Sequence, residues 1–341
     1  VTPRITSRDI AREVGVSQST VSRALRGDPR VAESTRQHIY EVARGHHYAP
    51  NLAARSLTTQ RASTIAVVVT DIRNPFYPEL VDVLHDEFKL GGYRMILLDE
   101  SSDPRTEAGL TPLLHGGAVD GVAFISATVA SRAPTVLTER GLPVVLLNRE
   151  VLDAEADVDR VVSDNHAGGG RAAEHLFELG HRRIGLISGP ADTSTARLRT
   201  QGFCEALERL GCPLDGELRR EGSYTHQGGY QWCMDMLERQ RPPTAVFCGN
   251  DVIAFGALDA AKQRGVPVPD ALSIVGYDDI EMSAWHAFDL TTIRQPLPQM
   301  AREAARLLVE RIEAEERRPA ERYVFPGGLV ARATTAPPQE R

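Results

Sequence analysis

The sequence predicts a chain in two parts: a small all-α head over the first 61 residues, then a much larger α/β body of parallel sheets flanked by helices. Three observations lead there. The chain has 341 residues, which suits two or three compact units of roughly 100 to 200 residues each. Between Thr6 and Arg44 apolar residues recur every third or fourth position, the period of helices that bury one face. From Thr64 onward, short β-branched runs ("TIAVVVT", "YRMILLD", "VDGVAFIS", "LPVVLLN", "RRIGLIS", "TAVFCG", "LSIVGYD") alternate with helical patterns, as in parallel sheets with crossover helices.

Charge follows the same division. The formal net charge is -7, yet residues 1–61 hold ten arginines and five acids, +5, while the remainder holds 29 basic and 41 acidic residues, -12. A cationic head on an anionic body favours a polyanion at one end only. The composition, 42% hydrophobic and 25% charged, is that of a soluble globular protein. No apolar run approaches the roughly 18 residues of a membrane span, and "VTPRITSRDIAREVG" lacks the apolar core of a signal peptide. A cytoplasmic protein with no membrane partner is expected. Cys204, Cys212, Cys233 and Cys248 show no CxxC spacing, so buried reduced thiols are expected instead of a zinc site or a disulfide framework.

In the head, Thr6 with Asp9 fits a capping box that starts a first helix. Ile10, Ala11 and Val14 fall on one face, and Gly15 permits the left-handed turn that ends it. Ser17 caps a second helix in which Val21, Ala24 and Leu25 point inward. Gln18, Ser19, Ser22, Arg23 and Arg26 point outward or flank that face. Small Ala11 and the Gly15-Val16 turn make this helix-turn-helix geometry. A third helix, Val31 to about Arg44, brings Ala32, Ile39 and Val42 to a miniature core.

The outward set matters because Gln and Arg side chains make paired hydrogen bonds with base edges in the major groove of DNA. The hydroxyls of Ser17, Thr20 and Ser22 suit phosphates, which position without specifying. Any one of these residues alone reads as a solvated surface group before it reads as a contact; their concentration on one helix points to duplex DNA. The segment "PNLAARSLTTQRAS", 50–63, then places Leu52 and Leu57 in a stretch shorter than the roughly 12 residues a lone helix needs. Read from its residues alone, it is a linker with Leu57 exposed.

In the body, ligands of open α/β sheets sit beyond the carboxyl ends of strands, and polar and aromatic residues gather there in "DIRNPFY", "NRE", "GPADTSTARLR", "GND", "GYDD" and "TTIRQP". Asn74, Asn148, Arg149, Arg199, Asn250, Asp278 and Gln295 offer groups for paired hydrogen bonds with vicinal hydroxyls. Phe76, Tyr77 and Tyr224 suit the C–H face of a sugar. One such residue alone reads as a helix cap or a loop residue; recurrence at almost every strand end points to a binding cleft. The "GGG" at 168–170 is followed by no GK[ST], so a tight strand-to-helix junction is expected there, not a phosphate loop. No nucleophile, base and orienting group share a convincing spacing, and His175, His181 and His226 read as surface or capping residues. No catalytic residue, metal or cofactor is expected, and the protein does not read as an enzyme.

"TSRDIAREVGVSQSTVSRALRGDPRVAESTRQHIYEVARGHHYAPNLAARSL" closely resembles the headpiece of the LacI/GalR family of bacterial transcription repressors. "VVSDNHAGGGRAAEHLFELGHRRIGLISGP", "CGNDVIAFGAL", "SIVGYDD" and "LTTIRQP" resemble the same family's effector domain, itself similar to periplasmic sugar-binding proteins, so the resemblance spans nearly the whole chain. It implies a small all-α helix-turn-helix DNA-binding domain followed by an α/β periplasmic-binding-protein-like effector domain of two Rossmann-like subdomains. The implied boundaries are a headpiece at 1–48, a hinge helix and linker at 49–61, a first subdomain at 62–162 with 293–323, and a second at 163–292 with 324–341. Three crossings near 161–164, 291–294 and 322–326 would join the subdomains.

The resemblance assigns base reading to the residues matching Gln18, Ser19 and Arg23. It turns the 50–63 segment into a hinge that pairs with the partner subunit's copy in the minor groove. There Leu57 would wedge between base steps, Ala54 would let the hinges approach, Arg55 would meet phosphates or the groove wall, and Asn51 is a further expected DNA contact. Arg149, Arg199, Asn250, Asp278 and Gln295 match the family's usual ligand contacts. The implied protein is a homodimeric, sequence-specific repressor of a pseudo-palindromic operator, controlled by a small effector, most simply a sugar. The same architecture also serves activators and other metabolites; the body alone would also fit a sugar-transport receptor. The chain ends in "TTAPPQER" without apolar heptads, so a dimer is expected, with no coiled coil to make a tetramer. Ser7 departs from the family pattern, which has an aliphatic residue there. So does "HHY" at 46–48, expected to loosen the headpiece core at His46, and so does Asn148, where sugar-binding relatives often carry Asp.

Overall fold

The computed structural model describes residues 5–25, 27–46, 48, 61–99, 117–152, 157–316 and 318–339. It forms two compact units, Val1–Ala62 and Ser63–Arg341.

The first unit contains α1 (Ser7–Val14), α2 (Gln18–Ala24) and α3 (Glu33–Gly45). The Thr6 amide donates to the Asp9 carboxylate at 2.9 Å, and the Asp9 amide donates back to the Thr6 hydroxyl at 3.4 Å, closing the capping box. Gly15 takes φ 75° and ends α1, while the Thr20 amide donates to Ser17 Oγ at 3.1 Å and starts α2. Ile10, Ala11, Val21, Ala24, Val31, Ile39 and Ala43 form the core, with Leu25, Val42 and Tyr48 packed against it.

Two expectations are corrected here. Ala32 is exposed, because α3 begins one residue after it and the cap position faces solvent; Val31 and Ala43 fill the space assigned to it. His46 does not enter the core. It lies on the surface with Nε2 2.7 Å from Glu13 Oε2, so the core keeps its apolar lining.

The second unit holds two six-stranded sheets. The first has the order β11-β5-β4-β3-β1-β2, from β1 (Thr64–Val69), β2 (Arg94–Asp99), β3 (Gly121–Phe124), β4 (Val144–Leu147), β5 (Asp159–Ser163) and β11 (Arg322–Phe325). The second has the order β12-β10-β9-β8-β6-β7, from β6 (Ile184–Ser188), β7 (Arg219–Glu221), β8 (Ala245–Cys248), β9 (Ser273–Asp278), β10 (Thr291–Arg294) and β12 (Gly328–Val330). β10 and β12 pair antiparallel; the other pairings are parallel.

Helices cover both faces, which is why the central strands β1, β3, β4 and β8 are continuously apolar. Ile65, Val67 and Val69 of β1 pack with α4 (Phe76–Leu90) and α10 (Leu297–Glu313), while Ala66 and Val68 face α5 (Ala133–Glu139). The second sheet is flanked on one side by α6 (Asn165–Glu178) and α7 (Ser194–Arg209), and on the other by α8 (His226–Leu237) and α9 (Asp251–Gln263).

The seven β-branched runs are β1 to β4, β6, β8 and β9. β5, β7, β10, β11 and β12 are shorter or more polar, three of them at sheet edges, where one side lacks a neighbour to demand an apolar run. The chain passes between sheets after Ser163, between β10 and α10, and between Phe325 and Gly328. Ile293 and Arg294 therefore pair in the second sheet and Val324 and Phe325 in the first, two residues past the boundaries expected from the sequence.

The "GGG" is not a strand-to-helix junction: Gly168–Gly170 lie inside α6. A Cβ on Gly169 would strike the Arg199 carbonyl, and one on Gly202 would strike the His166 carbonyl. These glycines let the α6 and α7 backbones cross in direct contact.

Candidate functional site

On the head, Gln18, Ser19, Ser22 and Arg23 are exposed on α2. The Ser17 hydroxyl is occupied by its capping role and lies 2.7 Å from Ser19 Oγ and 2.8 Å from Thr20 Oγ1. Thr20 is half-buried. Gln18 does not extend freely: its Nε2 donates to Ser7 Oγ at 3.0 Å, and Arg8 Nε donates to its Oε1 at 3.5 Å. The sequence flagged Ser7 only as a departure; its contact with Gln18 joins residues eleven apart. Arg26, Asn51, Ala54, Arg55 and Leu57 lie outside the described residues.

In the body, strand ends and helix starts converge on a cavity. It is lined by Asn74, Phe76 and Tyr77 where β1 runs into α4, Asn148 and Arg149 after β4, and Thr195 and Arg199 on α7. Tyr224 before α8, Asn250 at the cap of α9 and Asp278 at the end of β9 complete it. Thus nine of the ten cleft residues expected from the sequence come together. The tenth, Gln295, stands behind Asp278 and donates from Nε2 to Oδ1 at 2.8 Å. Thr195 was not anticipated. Its hydroxyl lies 3.1 Å from Tyr224 OH, and a threonine in the first turn of a helix carries no sequence signal for such a contact.

The centre of the site is a buried ion pair. Arg199 Nη2 lies 3.0 Å from Asp278 Oδ1, with the residues 3% and 5% exposed. Arg199 also donates from Nε to Asn165 Oδ1 at 2.8 Å and from Nη1 to the Gly249 carbonyl at 2.7 Å, and its guanidinium stacks on Tyr277 at 3.6 Å. Burial pushes the Asp278 carboxyl above its ordinary range, and Arg199 and Gln295 act in the opposite direction. Burial disfavours charge on Arg199 too, but Asp278 offsets it and holds the guanidinium above its usual range.

Beneath the pair, Asp251 is fully buried and accepts from Thr292 Oγ1 at 2.5 Å, Ser283 Oγ at 2.7 Å and the Ile280 amide at 3.0 Å. Burial first, and the Asp278 charge second, push its carboxyl up to about 8. It ties β10 to the turn after Asp278.

Two cleft residues carry backbone strain. Asn148 has φ 71° and Asp278 φ 116°, left-handed conformations that cost non-glycine residues on the order of 1–3 kcal/mol and cluster where a side chain must be aimed. Asn250 caps α9, its Oδ1 accepting from the Ile253 amide at 2.9 Å, and Asn74 Oδ1 accepts from the Phe76 amide at 3.1 Å. Both also line the cavity, so capping and lining coincide in single residues.

Elsewhere, His181 is neither a surface nor a capping residue. It is buried, with Nδ1 2.9 Å from Thr244 Oγ1 and Nε2 3.0 Å from both Ser273 Oγ and the Ala336 carbonyl, because the chain near its carboxyl end folds back over β9. All four cysteines are free thiols, Cys204 half-buried and the others buried. Among the described residues no group of three or more His, Cys, Asp or Glu side chains is arranged to hold a metal ion. No helix among them is long and apolar enough to cross a membrane.

Residues 6–51 match the family described as bacterial regulatory proteins, lacI family, and residues 173–335 match a periplasmic binding protein-like domain. The HTH-type transcriptional regulator DegA of Bacillus subtilis (strain 168) is 34% identical over 337 residues, 98% of this chain and 99% of DegA. The chain belongs to the lacI family. The HTH-type transcriptional repressor CytR of Escherichia coli (strain K12) is 33% identical over 310 residues, 91% of this chain and 90% of CytR. Among solved structures, the lac repressor dimer bound to operator and the anti-inducer ONPF matches with a TM-score of 0.85 at 26% identity, covering 98% of this chain and all of that one. The CelR-cellobiose complex matches with a TM-score of 0.75 at 32% identity, covering 97% of this chain and all of that one. The lacI-family architecture therefore extends over both units, the helix-turn-helix head and the two-sheet body with its cleft.

Proposed function

We propose that this lacI-family protein is a homodimeric transcriptional repressor that reads a pseudo-palindromic operator through α2 and is controlled by a small polyhydroxylated effector in the cleft. The observation that carries the reading is the pairing, in one chain, of an exposed Gln18-Ser19-Arg23 surface on a helix-turn-helix with a buried cleft whose ion pair and aromatic walls suit vicinal hydroxyls. Two heads related by a two-fold axis would select two-fold DNA. The lac repressor, solved as a dimer on its operator, and CelR, solved with cellobiose, support both halves.

Effector binding would reorient the two sheets about the three chain crossings and change whether the 49–61 segment, with Asn51, Ala54, Arg55 and Leu57, engages the minor groove. That is a coupling free energy of about 1–3 kcal/mol, and it must be reciprocal. The test is to select an operator from genomic fragments and then titrate effector with and without it at matched salt. Equal effector affinity in both arms would sink the mechanism.

The helix-turn-helix head argues against a transport receptor, and the site of action would be the compartment that holds the chromosome. Among the described residues that line the cleft there is no histidine or cysteine, which supports a binding site over an active site; turnover of a bound sugar would overturn that. A reporter assay in a deletion strain separates repression from activation.

A further inference from the structure

The charges in the cleft do not balance. Among the described residues, Arg149 and Arg199 both line it, against one carboxylate, Asp278. Asp278 is already held by Arg199 at 3.0 Å and by Gln295 at 2.8 Å; it feels Arg149 at longer range without touching it. Glu150, the next acid along the chain, pairs with Arg322 at 2.7 Å.

Arg149 itself is 8% exposed. Its contacts are one hydrogen bond from Nη1 to the Ser126 carbonyl at 3.1 Å and the Tyr224 ring at 5.6 Å. Nε is buried with no hydrogen-bond partner, and Nη2 makes none among the described residues. Nε and Nη2 form one edge of the guanidinium, the edge that grips two oxygens of a carboxylate or phosphate side by side. Beside it, Asn148 Oδ1 is buried and unpartnered as well, an acceptor waiting for a hydroxyl. Native structures leave few buried polar groups unpaired, and those that remain ask for a ligand or another specific cause.

Building on the effector reading above, we propose that the effector is an anionic sugar, a polyhydroxylated compound carrying a carboxylate or a phosphate, and that Arg149 is the residue that grips its acid group. The acid neutralises the cation that Asp278 leaves uncompensated. A hydroxyl of the ligand donates to Asn148 Oδ1, and the Tyr224 ring packs against the carbon skeleton. A neutral sugar would offer that edge hydroxyl oxygens but no counter-charge, and a charge-assisted pair is the stronger one.

Calorimetric titration of the full-length protein at fixed ionic strength tests this with D-glucose and D-galactose, their aldonates and uronates, and their 6-phosphates. An acidic sugar should bind at least about tenfold more tightly than its neutral parent, as a charge-assisted pair replaces an unpaired cation. The carboxylate and phosphate arms identify the acid group. Arg149→Gln should weaken the acidic sugar by about 10- to 100-fold and abolish the preference. Arg149→Lys should keep part of the preference, and both variants should melt close to the parent.

If a neutral parent binds as tightly as its acid, or if Arg149→Gln keeps the preference, the charge assignment is wrong. Release of operator by that neutral sugar would leave the regulator reading standing. Failure of every neutral and acidic sugar to bind would overturn both.

Discussion

The Gln18 amide is already oriented, because Ser7 and Arg8 hold its two ends. Gln18→Ala should therefore relax base preference at one position by about 1–3 kcal/mol, measured by competition with singly substituted operators. Ser7→Ala should shift preference at the same base pair by less, since it frees the amide without removing it. In the cleft, Asp278→Ala should abolish the effector response while operator binding survives at low temperature. It also leaves Arg199 buried without its counter-charge, which costs about 3–5 kcal/mol in comparable cases, so the melting temperature should fall alongside. A normal response would remove Asp278 from the site.

Helix crossings decide where these side chains end up. Gly169→Ala would drive a methyl into the carbonyl of Arg199, the same residue whose guanidinium anchors the cleft. Forcing α6 and α7 apart should destabilise the body by about 1–3 kcal/mol and weaken effector binding together with stability, read by urea unfolding and by titration. A Glu208→Gly exchange on the exposed side of α7 should affect stability alone. The His181 network binds the chain end to β8 and β9, and burial lowers its pKa. The imidazole stays neutral in the fold, whereas the unfolded chain takes up a proton near pH 6.5. Stability from this group is thus complete above about pH 6.5 and declines as pH falls toward the lowered value. Melting temperature should drop from pH 7.5 to pH 5.5, and the slope should be shallower in His181→Gln.

Over the whole chain the charge split matters most. Residues 1–61 carry +5 and the remainder -12, so operator affinity should fall steeply with salt through counterion release. Salt should weaken an exposed charge contact more than one buried in the cleft. Leu57→Ala should weaken operator binding while leaving effector binding near its parent value; equal loss of both would indicate general misfolding. If the two units are coupled as proposed, saturating operator should change effector affinity by the same roughly 5- to 150-fold factor by which effector changes operator affinity.

The signals that act within one turn or one strand were legible in the residues alone. The Thr6-Asp9 capping box, the Gly15 turn, the Ser17 cap and the seven β-branched strands all rest on neighbours two to four positions apart, whose chemistry is the same wherever the segment sits. The cleft was legible for a related reason: parallel strands place their carboxyl ends together, so polar residues following each strand converge whatever the details of packing. What distance in sequence separates, only the tertiary structure decided. It placed Gln295 behind Asp278, turned the "GGG" into a helix crossing, buried His181, brought Ser7 to Gln18 and left one edge of Arg149 unpaired. Each of these depends on which backbones touch across tens or hundreds of residues, and that follows from the packing of the whole fold, not from the periodicity of any one segment.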